Sequence, residues 1–285
     1  AMKKELDFWS VAYKNRPLNT IYIGGGTPTS LSAEQLDELI GYVKNKFDLS
    51  HMVEFTVEAG RPDSITADKL KVLYAHGVTR ISVNPQTMNQ ETLDLIGRCH
   101  TTKQTQEAFA MAREVGFDNI NMDIILGLPG ENTDMVARTL EEIRKMNPDS
   151  LTAHSLAIKR ASKLGEWIAK NGREALNDTG EMMNLARACA TELDMQPYYL
   201  YRQKNMAGNL ENVGFARWDK DGIYNILIME EKQTIAAVGA GSISKLVLPG
   251  HRIERSDNVK DVEQYLARID EMVERRHKLL LLEGE

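Results

Sequence analysis

Along residues 20–193, short runs of alternating apolar and polar positions give way repeatedly to longer stretches in which apolar residues recur every three or four places. The first period belongs to a half-buried strand and the second to an amphipathic helix. The pattern predicts strands over 20–23, 54–58, 80–84, 119–126 and 151–158. Between them it predicts helices over 33–46, 67–76, 90–97 with 103–115, 133–145, and 179–193. Strands that alternate with helical crossovers run parallel, and right-handed crossovers curl the sheet into a barrel or a doubly wound layer. A helix over 1–16, with Leu6, Phe8, Trp9 and Val11 as its apolar side, leads in. After residue 195 the pattern changes to a basic, tyrosine-rich segment, PYYLYRQKNMAGNLENVGF, then strand-like runs at 224–229 and 234–238, the glycine turn GAGSIS, and a helical stretch over 259–282. The expected organisation is a lead-in over 1–19, an α/β barrel portion over 20–195 and an appended α+β region over 196–285 that covers the barrel mouth.

The two faces of each strand differ in kind. Phe55, Val57, Ile81, Val83, Ile120, Met122 and Ile124 form the apolar list and are expected to face the helices. The opposite list is polar: Glu54, Thr56, Glu58, Arg80, Ser82, Asn84, Gln86, Asn119, Asn121, Asp123, Thr152 and His154. A packed barrel fills its interior with branched aliphatic side chains, so polar faces turned inward predict a solvated or ligand-filled lumen. The alternative is a structural network in which these groups pair with one another, Glu54 with Arg80 for instance.

Composition narrows the function classes. Of 285 residues, 42% are hydrophobic and 27% charged, with a formal charge of −6, and no apolar run reaches bilayer-spanning length. A net negative chain is a poor partner for nucleic acid, and an anionic ligand needs local arginines instead. Cys99 and Cys189 are the two cysteines. With no signal peptide visible, a reducing cytoplasm is the expected compartment, and two thiols do not ligate an iron–sulfur cubane unaided. The six histidines are scattered. Without HExxH, GxSxG or a P-loop, protein-ligated zinc and most hydrolase or nucleotidase chemistry drop out. His154 alone sits on a polar strand face, where a satisfied core histidine is the competing reading.

The segment 20–29, TIYIGGGTPT, stands out. A strand runs into three glycines and then a helix whose start carries the capping-box pair Ser32 and Gln35. Glycines at a strand's C-terminal end let a ligand lie on bare backbone, although a tight βα turn gives the same pattern. Gly24 to Thr27, Glu58, Gln86 and Asp123, joined by Arg98, share the rim where parallel α/β folds bind ligands. Carboxylates, an amide, an arginine and bare backbone suit a zwitterion that also carries sugar hydroxyls. S-adenosylmethionine has all of these groups.

The ordered segments GGGTPTSL, VEAG, ISVNPQTM, LIGR, NMDIILGLPGE and NPDSLTAHSLAIKR resemble the radical S-adenosylmethionine core of oxygen-independent coproporphyrinogen III oxidases. PYYLYRQKNMAGNLENVGF and GAGSIS resemble the HemZ-type, coproporphyrinogen dehydrogenase branch, and the likeness covers roughly 18–275. The resemblance implies a partial (β/α) barrel of the radical SAM type with a C-terminal α+β region. It implies S-adenosylmethionine and a [4Fe–4S] cluster as cofactors, a tetrapyrrole substrate, and an electron donor as partner. By position, Gly25, Gly26 and Thr27 match the loop that holds the methionine amino group, and Glu58 matches a carboxylate on S-adenosylmethionine. Gln86, Arg98 and Asp123 match contacts to the cofactor or a second copy of it. Ala157 matches a backbone contact near the adenine and Ile243 a contact from the C-terminal part. The family chemistry is cofactor cleavage to a 5′-deoxyadenosyl radical, hydrogen abstraction from a propionate, and loss of carbon dioxide and an electron to leave a vinyl group. Tyr198, Tyr199, Tyr201, Arg202 and Lys204 are candidates for the substrate's carboxylates, against the alternative of a buried aromatic segment with a cationic edge. One departure is plain: the family's CxxxCxxC motif lies before the glycine loop, and none of the 23 residues ahead of Gly24 is cysteine. Either the polypeptide is trimmed, which the scar-like Ala1-Met2 favours, or the cluster has been lost. In both cases this chain by itself is expected to be inactive in radical chemistry and to carry no metal ligands, and the competing reading is a haem- or SAM-binding relative without decarboxylase activity.

Overall fold

The computed structural model describes residues 1–156, 179–201 and 211–284. The chain divides into two compact units, one comprising Tyr22–Asp37 with Glu54–Gly222 and the other Ala1–Ile21, Glu38–Val53 and Ile223–Glu285. In chain order the elements are α1 (Met2–Ala12), β1 (Thr20–Ile23), α2 (Ala33–Lys46), β2 (Glu54–Val57), α3 (Ala67–Ala75), β3 (Arg80–Ser82), α4 (Gln90–Leu95), α5 (Thr102–Val115), β4 (Ile120–Leu126), α6 (Thr133–Met146) and β5 (Ser150–Ser155). They continue with α7 (Thr179–Glu192), β6 (Gln196–Tyr201), β7 (Asn212–Ala216), α8 (Ile223–Met229), β8 (Ile243–Leu248), β9 (Arg252–Asp257), α9 (Val262–Ala267) and α10 (Ile269–Leu281).

The seven-stranded sheet has the order β1-β2-β3-β4-β5-β7-β6. Strands β2 to β5 run parallel, with Thr56 beside Arg80, Ile81 beside Ile120 and Asn121 beside Ser150. The helices between them begin where the sequence supplies caps. Ser32 and Gln35 satisfy each other's backbone amides ahead of α2, Thr66 caps α3, Thr101 and Gln104 form a capping box on α5, and Asn132 caps α6. The apolar strand list is fully buried: Phe55, Val57, Ile81, Val83, Ile120, Met122 and Ile124 are all at most 1% exposed.

The polar list forms a file along the other face. Thr56 donates to Glu54 at 2.8 Å, and Arg80 Nη2 donates to Ser150 Oγ at 3.0 Å. Thr152 donates to Asn121 at 3.1 Å, and Asn121 Nδ2 donates to Asp123 at 2.7 Å. Arg80 Nε, Ser82 Oγ, Asn119 Oδ1 and Ser155 Oγ are buried without a hydrogen-bond partner.

The second half of the chain departs from the sequence reading. The start of the tyrosine-rich segment is strand β6 and its end runs into β7; β7 adds to the barrel sheet antiparallel to β5, Ser150 lying opposite Ala216, and β6 pairs antiparallel with β7 at the sheet edge. The strand-like run at 224–229 is helix α8, since a short apolar run has no period that separates strand from helix. The run at 234–238 contributes only the bridge Ile235–Lys245. The hairpin β8–β9 is missed by the sequence reading because RIERSD alternates charge rather than apolar character. Val11, expected on the apolar side of α1, is 78% exposed. The expected strand over 151–158 ends at Ser155, and positions 157–158 lie outside the described residues.

In the smaller unit, Trp9 is 1% exposed, stacks on Tyr13 and donates to Ala237 O. Glu5 and Arg276 are fully buried there. Glu5 accepts from Gly239 N at 2.9 Å, Asn258 Nδ2 at 2.7 Å and Tyr265 OH, with Arg276 Nη2 at 3.9 Å.

Candidate functional site

The rim is assembled in the larger unit from the loops that follow β1 to β4. Gly25 and Gly26 sit at φ +72° and +51°, backbone that L side chains rarely adopt, and a Cβ on either would meet nothing within 4 Å. Open space therefore lies over a left-handed backbone pair. Gly24 is glycine for a different reason: a Cβ there would stand 2.5 Å from Tyr22 Cε1 and 3.0 Å from Glu58 Cδ. The Glu58 carboxylate accepts from Tyr22 OH through Oε1 and from Gly25 N–H at 3.3 Å through Oε2. Thr27 then leads into the turn Pro28–Ser30. Thr29 Oγ1 lies 2.6 Å from Ser64 Oγ, and Lys69 Nζ donates to the carbonyls of Thr29 and Ser64, which ties the first loop to the second.

Past Pro85 the chain reopens pairing with β4 at Gln86, whose N–H donates to Asp123 O at 3.0 Å and whose carbonyl accepts from Ile125 at 2.9 Å. Gln86 holds φ +66°, an uncommon left-handed conformation for a residue with a side chain. Its carboxamide makes no hydrogen bond among the described residues.

Asp123 accepts from Asn121 Nδ2, and its Oδ2 lies 3.8 Å from His154 Nε2. Burial pushes the Asp123 pKa up, but hydrogen bonds and charge from His154, with further bonds from Asn121 and Thr152, outweigh it and hold the carboxyl below its ordinary range. The Tyr22 phenol is driven far up, by burial first and then by Glu58, and it also feels the charge of Asp123. Tyr22, Glu58, Gly25, Gln86 and Asp123 are thus one neighbourhood.

Arg98 is half-buried and makes no hydrogen bond or ion pair through its guanidinium among the described residues. Burial lowers its pKa, and so does Arg61, which is itself held two-pronged by Asp63. His100 next to it is 1% exposed, places Nε2 3.2 Å from Pro85 O one residue before Gln86, and leaves Nδ1 without a partner. Burial lowers the His100 pKa and the hydrogen bond to Pro85 O opposes it without cancelling it, so the folded ring takes up a proton less readily than an unfolded one. An unfolded histidine takes a proton below about pH 6.5, which makes stability fall as pH drops through that value toward the folded pKa. The thermal midpoint should therefore decline between pH 7.5 and 5. His100→Gln should flatten part of that decline, and an unchanged slope in the variant would rule His100 out as its source.

On β6, Tyr199 and Tyr201 stack with ring centroids 6.3 Å apart, Tyr198 lies 4.8 Å from Tyr199, and Tyr201 presents an edge to His154 at 6.4 Å. The β6 tyrosines are therefore an aromatic wall beside Asp123 and His154. Ala157, Arg202 and Lys204 lie outside the described residues. Ile243 opens β8 in the other unit and is 49% exposed. Tyr22 was missed by the sequence reading. The usable signal was its position two before Gly24, on the same strand face.

Residues 8–143 match the radical SAM superfamily model. The chain is 44% identical over 265 residues to the oxygen-independent coproporphyrinogen-III oxidase-like protein HemZ of Bacillus subtilis, covering 92% of this chain and 53% of that protein. It is 40% identical over 203 residues to the heme chaperone HemW of the same organism, covering 70% of this chain and 52% of that one. The chain thus spans about half the length of these relatives. The solved structure of coproporphyrinogen III oxidase HemN from Escherichia coli superposes with a TM-score of 0.74 at 23% identity, over 95% of this chain and 61% of that one, a likeness of fold.

Proposed function

Because this chain belongs to the radical SAM superfamily and shares its partial barrel, we propose that it is the S-adenosylmethionine- and tetrapyrrole-holding part of an oxygen-independent coproporphyrinogen III oxidase or dehydrogenase. That reaction oxidatively decarboxylates propionates to vinyl groups in haem biosynthesis. The observation that carries the reading is the bare Gly25–Gly26 backbone beside a Glu58 carboxylate already fixed at both oxygens.

The residues present fit S-adenosylmethionine. Gly25, Gly26 and Thr27 offer backbone groups to the methionine ammonium and carboxylate, and Glu58 accepts from an ammonium or a ribose diol. Asp123, kept ionised by its neighbours, offers a second acceptor, and the unengaged Gln86 carboxamide offers both a donor and an acceptor. The unpaired Arg98 guanidinium suits a carboxylate. Ala157 and Ile243 are carried as cofactor contacts by their sequence match to the family alone. When bound, S-adenosylmethionine supplies a sulfonium whose C–S bond can be cleaved reductively. The tyrosine wall, with Tyr198 and Tyr201, is proposed to face the tetrapyrrole, and Arg202 and Lys204 to meet its carboxylates.

A [4Fe–4S] cluster does not fit the residues of this chain. Cys99 is exposed, while Cys189 is buried in α7 with its thiol pushed up to about 11 by burial. Among the described residues no three His, Cys, Asp or Glu side chains group as metal ligands. The cluster and its electron donor belong to the proposed full-length protein, placed in the cytoplasm on the same reading. No helix of the described residues is long and apolar enough to cross a membrane.

Anaerobic titration of the 285-residue chain should show binding of S-adenosylmethionine and of coproporphyrinogen III, with no 5′-deoxyadenosine formed after incubation with iron, sulfide and dithionite. Failure to bind S-adenosylmethionine at millimolar concentration overturns the reading, and cofactor cleavage overturns the assignment of this chain as inactive alone. The second reading, a haem- or SAM-binding relative without decarboxylase activity, is favoured by the 40% identity to a protein named as a heme chaperone. Tighter binding of haem than of coproporphyrinogen III would select it.

A further inference from the structure

We propose that Tyr22 is a positioning residue for S-adenosylmethionine: it fixes the Glu58 carboxylate from one side while Gly25 N–H fixes it from the other. The inference rests on the reading that the glycine loop and Glu58 hold that cofactor.

Tyr22 alternates with Ile21 and Ile23 along β1, so its side chain shares a face with Gly24 two residues on. Its ring edge, at Cε1, occupies the space a Cβ on Gly24 would need, 2.5 Å from that position. From there its O–H donates to Glu58 Oε1, and Gly25 N–H donates to Oε2 at 3.3 Å. Both donors come from one stretch of four residues, so strand and loop jointly set the tilt of a carboxylate delivered by the neighbouring strand. Glu58 is itself anchored through its backbone N–H, which donates to Ile23 O at 2.9 Å.

A free glutamate samples many side-chain rotamers, and ordering it when ligand arrives costs affinity. Here the ordering is done in advance, and each carboxylate oxygen keeps a lone pair for a ligand donor. Burial and the adjacent carboxylate keep the phenol protonated well beyond the physiological range, so Tyr22 serves as a donor at every working pH. Gly24 is then glycine because the tyrosine, rather than the ligand, occupies its side-chain space.

The test uses the whole chain and calorimetric titration with S-adenosylmethionine. Tyr22→Phe keeps the ring on Gly24 and removes one hydrogen bond to a charged group, so the Kd should rise by about tenfold while the near-ultraviolet spectrum and melting profile stay close to those of the parent. Glu58→Gln should weaken binding by itself, and Tyr22→Phe added to it should cost little more, because Tyr22 acts through Glu58. Parental binding with a Tyr22→Phe affinity within twofold of it overturns the inference and leaves the proposed function standing. Additive losses in the double variant also overturn it, since they would mean a general structural role. A parental chain that does not bind S-adenosylmethionine overturns the proposed function and this inference with it.

Discussion

Glu5→Ala destabilises the smaller unit by about 3–5 kcal/mol, the loss that follows when one partner of a buried ion pair is removed. Arg276 is fully buried, with Nε and Nη2 lacking any hydrogen bond, and Glu5 is its nearby carboxylate at 3.9 Å. Burial already lowers the Arg276 pKa, and Glu5 is the largest influence acting against it. The same carboxylate accepts from Gly239 N, Asn258 Nδ2 and Tyr265 OH, so its removal leaves Gly239 N and Tyr265 OH buried without their acceptor, while Asn258 Nδ2 keeps Gly239 O and Ser242 Oγ. Urea denaturation followed through the buried Trp9 measures the effect. Glu5→Leu combined with Arg276→Met should lose less than Glu5→Ala alone, because no charge is then left inside; recovery is partial, because Gly239 N and Tyr265 OH still lack their acceptor. A loss below about 1 kcal/mol for Glu5→Ala would show that the network behaves as if solvated.

If the glycine loop holds S-adenosylmethionine as proposed, Gly24→Val should weaken its binding by about 10- to 100-fold, corresponding to the 1–3 kcal/mol typical of overpacking a filled site. The first added carbon already meets Tyr22 Cε1 at 2.5 Å and Glu58 Cδ at 3.0 Å, and the two methyls of valine press further on the same groups. Tyr22 and Glu58 are the mobile parts, so they give way and the carboxylate leaves its set position. Calorimetry with the parent and the variant reads this directly. An affinity within threefold of the parent would mean that the carboxylate and ring move without consequence, and would remove Glu58 from the binding surface. Gly25 and Gly26 respond for another reason, since nothing crowds them and any non-glycine residue there is strained by its φ alone.

The comparison of sequence and structure divides along the chain. From 20 to 156 each strand has one apolar list and one polar list, and the helices between carry caps. Period and cap chemistry are local properties, so β1 to β5 and α2 to α6 were legible to within a few residues. Beyond 195 the local signals conflict. Residues 224–229 read as strand and fold as helix, while RIERSD carries no strand signal and folds as strand β9 because its partner β8 supplies the hydrogen bonds. Strands β6 and β7 read as the start of another region, and long-range pairing of β7 with β5, and of β6 with β7, makes them part of the barrel sheet.

For the candidate site, residue types and rim positions were readable, since strand alternation assigns Glu58 and Asp123 to a polar face and glycines announce bare backbone. The sequence by itself therefore determined the α/β class, the polar lumen and the set of groups offered to a zwitterionic ligand. Only the tertiary structure decided what those groups hold before any ligand arrives: Tyr22 and Gly25 on Glu58, Asn121 and His154 about Asp123, Gln86 strained against β4, Arg98 left unpaired. These are contacts between residues up to several strands apart, fixed by register and packing, and no local period in the chain encodes them.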